Sequence, residues 1–417
     1  MGLIVQKYGG TSVSNLKKIK SVAEHVIKTS RDGNDVLVVV SAMAGETDRL
    51  VNLAHQVMDP PDERELDVIT SSGEQVSSGI LSMTIKSLGH EAVSFQGHQV
   101  RIVTDNAHSK AKIQSIHAEK IENSLRKGKI VVVAGFQGVD SDGNVTTLGR
   151  GGSDLTAVAL AAALKADSCE LYKDDVDGVY TTDPGMVPSA RKLGRISYEE
   201  MLEMASLGSK VLQARAVEFA MKHGVPLHVR PTANPDAQGT WVVEEEEEMS
   251  HMEDILISGV SFDKNQAKIT LSQVPDSPGI AARLFTPLGE NGIIVDMIVQ
   301  NVSREGHTDM TFTVPRTDYK KSIIITQEVA ASLGAREVLS DDKITKVSLV
   351  GVGMKTHSGV ATNMFTALAK EGINIMMIST SEIKISCVIE EKYTELAVRT
   401  LHEAFKLGGT SGNEEKK

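Results

Sequence analysis

GFQGVDSDGNVTTLGRGGSDLT, residues Gly135–Thr156, is the stretch whose reading decides the fold. Immediately before it runs Ile130-Val131-Val132-Val133-Ala134. Four β-branched residues in succession, stopped by Gly135, predict a buried strand ending in a turn. Gly138, Asp140, Asp142-Gly143 and Asn144 then predict a tight turn between two short strands. Gly149-Arg150-Gly151-Gly152-Ser153-Asp154 follows and leads into an Ala/Leu-rich helix over Leu155–Leu164. Glycines between a strand and a helix N-terminus let backbone N–H groups close on an anion, and the helix dipole favours negative charge there. Arg150 can grip a carboxylate with two parallel hydrogen bonds. Taken alone, the same residues also fit an ordinary helix entry with Ser153 or Asp154 as N-cap.

Working outward, the pattern recurs. Leu3-Ile4-Val5 is a short strand, followed by Lys7-Tyr8-Gly9-Gly10-Thr11-Ser12 and a helix from about Asn15 to Thr29. The spacing is not that of a P-loop, yet a lysine at a strand's end beside a glycine turn suits a phosphate as well as it suits solvent. Asp35–Val40 is a third strand, ending in Ser41-Ala42-Met43-Ala44-Gly45-Glu46-Thr47-Asp48. Small and hydroxyl residues at a strand's carboxyl end fit the crevice where open α/β sheets bind ligands. Residues 62–88 read as helical with an interruption at Ser71-Ser72-Gly73-Glu74, which allows Glu74 to be a capping residue or a site residue. Short strands at Ala92–Phe95 and Ile102–Thr104 precede a polar, amphipathic helix within Ser109–Gly128. Ser168–Tyr172 is a strand opening into Lys173-Asp174-Asp175-Val176-Asp177-Gly178-Val179-Tyr180-Thr181-Thr182-Asp183-Pro184, which fits a nucleotide-binding loop or a solvated one. Residues 198–223 are helical, broken by Gly208-Ser209-Lys210, and Leu227-His228-Val229 is a further strand. Alternating strands and helices from residue 3 to 230 predict one α/β domain with a largely parallel sheet.

Glu244–Glu248, five consecutive acids, reads as a hinge or linker. Beyond it the chain repeats itself at an offset of 80 residues: Gly279 with Gly359, Phe285 with Phe365, Leu288 with Leu368, Gly292 with Gly372, Met297 with Met377. Each copy holds a strand, a turn, a helix, a glycine stop and a second strand, so the last third is expected to be two βαββαβ units packed sheet to sheet. The expected organisation is an α/β domain over 1–243, a linker over 244–254, α+β units over 255–335 and 336–407, and a disordered tail over 408–417.

Composition bounds the partners. A net charge of −11 argues against nucleic acid as a partner but leaves small anions open, because those are handled locally. No apolar run reaches membrane-spanning length and no signal peptide is seen, so the expectation is a soluble, cytoplasmic protein. Cys169 and Cys387 lack metal spacing and are expected to be buried thiols.

Taken together and in order, Lys7-Tyr8-Gly9-Gly10-Thr11-Ser12, Ser41-Ala42-Met43, Ser72-Gly73-Glu74, Gly149–Asp154, Gly178–Pro184 and Gly208-Ser209-Lys210-Val211-Leu212 resemble the aspartate kinases. The resemblance runs from residue 2 to about 407. It implies an amino-acid kinase fold followed by two ACT units, ATP with Mg²⁺, and L-aspartate as acceptor, without protein ligands to the metal. It implies that Lys7 and Asp154 are catalytic and that Ser41, Thr47, Glu74, Arg150 and Ser153 bind aspartate. For ATP it implies Lys7, Tyr8, Gly9, Gly10, Asp174, Asp175, Tyr180, Asp183 and Lys210. Two departures from the family pattern bear on the nucleotide side: the extra residue in Lys173-Asp174-Asp175-Val176, and Gly185 after the Asp-Pro pair. Lysine, threonine or both are implied as feedback effectors. The turns of the repeat supply a pocket for them, with Asp276, Gly279, Ile280, Asp296 and Gln300 in the first copy and His357, Val360, Asn374 and Ile375 in the second. An open sheet edge predicts a homodimer or larger through these units, and Met249 and Met252 allow a separately initiated regulatory subunit. Two other readings compete: a kinase of the same fold acting on glutamate or its N-acetyl form, and an inactive amino-acid sensor.

Overall fold

The structure, a computed structural model, describes residues 2–208, 211–244, 256–301, 306–352, 354 and 359–408. Among these, two compact units separate, one of residues 2–179, 192–205 and 211–244, the other of 180–191, 206–208 and 256–408. The units do not follow chain order. The expected domain over 1–243 is corrected to that extent, because two of its stretches pack with the C-terminal residues.

The first unit carries strands β1 (Leu3–Tyr8), β2 (Asp35–Val40), β3 (Ala92–Phe95), β4 (Ile102–Thr104), β5 (Ile113–Ile116), β6 (Ile130–Ala134), β7 (Gln137–Val139), β8 (Val145–Thr147), β9 (Ser168–Lys173), β10 (Arg195–Ser197), β11 (Leu227–Pro231) and β12 (Thr240–Val243). Its helices are α1 (Leu16–Arg31), α2 (Glu46–Val57), α3 (Glu63–Ser87), α4 (Glu119–Leu125), α5 (Gly152–Leu164), α6 (Tyr198–Ser206) and α7 (Ala214–His223). Eight strands form one sheet in the order β10-β12-β11-β9-β1-β2-β6-β3, parallel throughout except for β11 against β12. Strands buried on both faces read as unbroken apolar runs, which is why β2 and β6 lack alternation. A four-stranded sheet, β5-β4-β7-β8, lies apart from it. Helix α1 shows how a surface helix attaches. Asn15 caps it by accepting from the Lys18 N–H at 3.0 Å, and Ile19, Val22, Ala23, Val26 and Ile27 recur on one buried face. Each valine or isoleucine among them contributes about 1.5–3 kcal/mol on full burial.

Two local expectations are corrected. Helix α3 is continuous through Ser71-Ser72-Gly73-Glu74. The hydroxyls of Ser71 and Ser72 donate back to the carbonyls of Val68 and Ile69, at 3.0 and 2.6 Å, so the polar side chains are satisfied inside the helix rather than ending it. Glu74 therefore lies well inside a helix whose N-cap is Asp62, and the capping reading falls. In Ser109–Gly128 the helix is confined to α4, and Ile113–Ile116 is a strand.

The second unit contains β13 (Leu256–Pro275), β14 (Ile298–Gln300), β15 (His307–Pro315), β16 (Glu337–Val352), β17 (Met377–Thr380) and β18 (Lys384–Glu390), with α8 (Ile280–Glu290), α9 (Tyr319–Leu333), α10 (Gly359–Lys370) and α11 (Thr394–Ala404). The expectation of two units packed sheet to sheet is corrected. The two repeats share one antiparallel sheet, β14-β15-β13-β16-β18-β17, because β13 and β16 are long enough to serve both. Ala267, Ile269 and Leu271 of β13 enter one core with Leu284 and Leu288, while Val260 of the same strand enters another with Val347, Leu349 and Met364. Residues 245–255 and 409–417, most of the expected linker and tail, lie outside the described residues. No described helix is long and apolar enough to cross a membrane.

Candidate active site

The parallel strands bring their carboxyl ends level: Tyr8 lies opposite Val40 and Tyr172, Val40 opposite Ala134, and Pro231 opposite Lys173. Successive side chains of a strand point to opposite faces. Tyr8 and Tyr172 stack on one face, 4.8 Å between ring centroids and 6° from parallel. Lys7 and Lys173, each one residue away, emerge on the other and converge on Asp154 in the first turn of α5. Lys7 Nζ is 2.6 Å from Asp154 Oδ1, and Lys173 Nζ is 2.8 Å from Oδ2.

Burial opposes ionisation of Asp154, but the charges of Lys173 and Lys7 outweigh it and hold the carboxyl well below its usual range. Burial also lowers the Lys7 ammonium, and the charge of Asp154 works against that. The cluster is two cations on one anion, so it keeps a surplus positive charge at the sheet's carboxyl edge. Lys173 was not among the site residues read from the sequence. Its signal was the pair Lys7-Tyr8 and Tyr172-Lys173 at the ends of two strands that turn out to be neighbours.

Glycines let backbone come close to this edge. A Cβ on Gly10 would stand 2.7 Å from the Ala42 carbonyl oxygen, and one on Gly135 would stand 2.8 Å from Ser153. Gly151, left-handed at φ 70°, starts α5 and delivers Gly152, Ser153 and Asp154 into the buried layer. The turn Ser41-Ala42-Met43 follows β2, and Thr47 lies in the first turn of α2. Glu74 reaches this turn from α3. Its Oε1 accepts from the Ala42 N–H at 3.0 Å, and its Oε2 is buried without a partner. Burial pushes the Glu74 carboxyl up to about 7. A buried oxygen with nothing to accept from is costly unless a ligand supplies the donor. Arg150 is exposed on the loop before α5.

Of the residues read for the nucleotide, Tyr8 is corrected most plainly. Its side chain is buried in the core, with its hydroxyl 2.6 Å from His25 Nδ1, so only its backbone faces the site's edge. Asp174, not Asp175, is built into the glycine loop: it accepts from Ser12 Oγ at 2.7 Å and Lys18 Nζ at 2.6 Å. Asp175 is exposed. Tyr180 and Asp183 fall in the second unit, and Asp183 accepts from the Gly185 N–H at 2.8 Å, closing its own turn. Lys210 lies outside the described residues, as does His357. Among the described residues no group of three or more His, Cys, Asp or Glu is placed to hold a metal ion.

In the second unit, Gly279 is left-handed at φ 93° and opens α8, with Ile280 buried behind it. Asp276, Gln300 and Asn374 are exposed, and Val360 is buried in α10. Asp296, read as a candidate partner for an effector's ammonium, is ion-paired with Lys346. Ile375 lines a groove of about 320 Å³ with Lys268, Thr270, Asn301 and Thr311. Cys169 and Cys387 are buried free thiols.

A parallel sheet with paired lysines and glycine turns at its carboxyl edge, followed in the chain by a duplicated α+β module, defines the class: an amino acid kinase with ACT modules. The sequence matches the amino acid kinase family over residues 2–231 and the ACT domain over 272–328 and 347–405. It is 57% identical to an aspartate kinase of Stutzerimonas stutzeri over 99% of both chains. Among solved structures, Escherichia coli aspartokinase III in complex with aspartate and ADP is similar at TM-score 0.80 and 26% identity, over 97% of this chain and all of that one. The same enzyme in complex with lysine and aspartate is similar at TM-score 0.73, over 96% and 99%. The chain belongs to the aspartate kinase family.

Proposed function

We propose that this chain transfers the γ-phosphoryl group of ATP to the side-chain carboxylate of L-aspartate, giving 4-phospho-L-aspartate and ADP, the first step towards lysine, threonine and methionine. The observation that carries the reading is the Lys7–Asp154–Lys173 cluster at the sheet's carboxyl edge. Phosphoryl transfer depends on positioning and charge neutralisation rather than covalent help. The acceptor is already a carboxylate, so no general base is needed. The two anions must instead be held together, and a buried surplus cation does that best where charge moves onto the bridging oxygens.

Lys7 faces the transferring group and Asp154 fixes the directions of both lysines. The unpartnered Oε2 of Glu74 takes the substrate ammonium, Arg150 its α-carboxylate, and Ser41, Thr47 and Ser153 complete the acceptor side. Gly9, Gly10 and Asp174 hold the nucleotide side, with Lys210 and Tyr180 assigned by resemblance. With every Asp154 oxygen already on a lysine, the residues fit Mg²⁺ that arrives on the nucleotide phosphates, where it screens their charge. Lysine, threonine or both act through the ACT modules, and the working form is at least a homodimer, cytoplasmic like other enzymes of small-molecule metabolism.

The test is ATP-dependent acyl-phosphate formation trapped with hydroxylamine, run on aspartate, glutamate and N-acetylglutamate. Hydroxamate from aspartate alone is expected. Preference for either of the others would reassign the acceptor, and no product from any would leave an inactive sensor.

A further inference from the structure

Asp67 lies on α3 two turns before Glu74 and is fully buried. Both of its oxygens are in use. His108 Nδ1 is 2.8 Å away, the Ser109 N–H donates to both oxygens at 3.1 Å, and Thr147 donates its N–H at 3.0 Å and its hydroxyl at 2.5 Å. The bonds converge on two segments. One is the 107–110 loop, where Ser109 is held at φ 64°, a left-handed conformation that costs a serine energy. The other is Thr147, the last residue of β8, from which the chain runs through Leu148 and Gly149 to Arg150.

The two segments are tied to each other. The Ala111 N–H donates to the Thr147 carbonyl at 2.9 Å, and a Cβ on Gly149 would stand 3.0 Å from the Ser109 carbonyl oxygen. Arg215 donates to the carbonyls of Leu148 and Ala111 at 2.8 and 3.1 Å. Arg150 itself is exposed, so where its guanidinium can reach is set by the backbone that carries it. Asp67, Ser71 and Glu74 fall at i, i+4 and i+7 on one face of α3. From that face the Ser71 carbonyl holds Gln137 Nε2 at 2.9 Å and Glu74 holds Ala42.

We propose that Asp67, with His108, is a positioning residue for the acceptor: through Thr147 it fixes where Arg150 meets the substrate's α-carboxylate, in register with Glu74 on the same helix face. The inference rests on the reading of Arg150 and Glu74 as the two ends of aspartate recognition.

The experiment is steady-state kinetics and thermal melting of Asp67→Asn and Thr147→Val, each in the wild-type and Arg150→Ala backgrounds. The amide of Asp67→Asn keeps the volume but turns an acceptor into a donor facing N–H groups. Thr147→Val removes only the hydroxyl bond, and it carries the test if the first variant does not fold. Because a misplacement of about 1 Å can cost 10²-fold, Asp67→Asn should raise the KM for aspartate roughly tenfold or more, with kcat and the KM for ATP within about twofold. Thr147→Val should move the same constant in the same direction by less. In the Arg150→Ala background Asp67→Asn should add less than about twofold, since sites acting through one contact are not additive.

If Arg150→Ala raises the aspartate KM while neither variant does, the positioning role is wrong. It is equally wrong if Asp67→Asn multiplies that KM by the same factor in both backgrounds, or if Thr147→Val shifts kcat and both KM values together with its melting temperature. If Arg150→Ala itself leaves the aspartate KM unchanged, the acceptor reading of Arg150 fails and this inference fails with it.

Discussion

Asp154 holds one lysine on each oxygen, and the two lysines are not interchangeable. Lys7 is nearly as buried as Asp154, whereas Lys173 keeps some contact with solvent. A buried charge aimed at the transition state costs no reorganisation when the reaction occurs. Lys7→Ala should therefore lower kcat by roughly 10²–10³, the scale of losing one preorganised donor, with little change in the KM for aspartate. Lys173→Ala should lower kcat less. Steady-state rates in both substrates check this, and equal losses would mean that the two ammonium groups share one role.

Glu74 makes a prediction in pH. Its folded pKa, about 7, lies above the ordinary carboxyl value, so the protonated form is favoured by folding. The stability it contributes is full below its unfolded pKa and is lost as pH rises through 7. Without aspartate, Glu74→Gln should raise the melting temperature above pH 7 and leave it nearly unchanged at pH 5. Aspartate binding runs the other way, because only the ionised carboxylate pairs with ammonium. The KM for aspartate should rise as pH falls below 7 in the wild type, and Glu74→Gln should have a high KM that ignores pH over that range. A flat wild-type profile would remove Glu74 from ammonium recognition.

At the scale of the element, α3 carries the prediction. It packs so closely on the turn after β2 that a Cβ on Gly73 would stand 2.7 Å from the Ala42 Cβ, while a Cβ on Gly79 would meet nothing within 4 Å. Two glycines of one helix should then respond with opposite signs. Gly79→Ala should stabilise by about 0.5–1 kcal/mol, the cost of glycine in a helix interior. Gly73→Ala should destabilise and weaken aspartate binding several-fold, because it moves Glu74 and the Ala42 turn apart. Denaturant melts and the aspartate KM of the pair test it. The helix also marks a limit of sequence reading: Ser-Ser-Gly looked like an interruption, and only the back-bonded hydroxyls make it helix. Strands β1, β2 and β6 and the helix α5 were legible because an apolar run stopped by glycine states its own period and end.

For the whole molecule, the six-stranded sheet leaves β14 and β17 at its two edges, and each presents a half-exposed isoleucine, Ile298 at 53% and Ile378 at 45%, at the repeat's offset. A charge on an edge strand opposes pairing with another chain. Ile298→Lys and Ile378→Lys together should shift the proposed dimer towards monomer in sedimentation at micromolar protein, and a wild type that is monomeric throughout would end the proposal. Feedback control requires that an effector bind one arrangement better than another, with a coupling of about 1–3 kcal/mol. Asp276→Ala and Asn374→Ala should each relieve inhibition by lysine or threonine while leaving the uninhibited kcat nearly intact. Rate and melting temperature that ignore both amino acids at millimolar concentration would make the repeat purely structural. Asp296 is expected to matter less directly, since its carboxylate already faces Lys346.

Local chemistry written in the sequence determined the alternation that makes a parallel sheet, the glycine turns at its carboxyl edge, the duplicated module at offset 80, and the motif order that points to the aspartate kinases. These features are short-range: a period, a stop, a repeat. Tertiary structure alone decided that Lys173 joins Lys7 on Asp154, that Tyr8 faces the core, that Glu74 sits in mid-helix with one oxygen unpartnered, and that residues 180–191 pack with the C-terminal unit. Each of those depends on which face a pleat presents or which distant strand lies alongside, and neither is encoded by any residue's immediate neighbours. The shared sheet of the two repeats has the same origin. Each repeat's sequence specifies a strand, but only the pairing of β13 with β16 along their length makes one sheet of two modules.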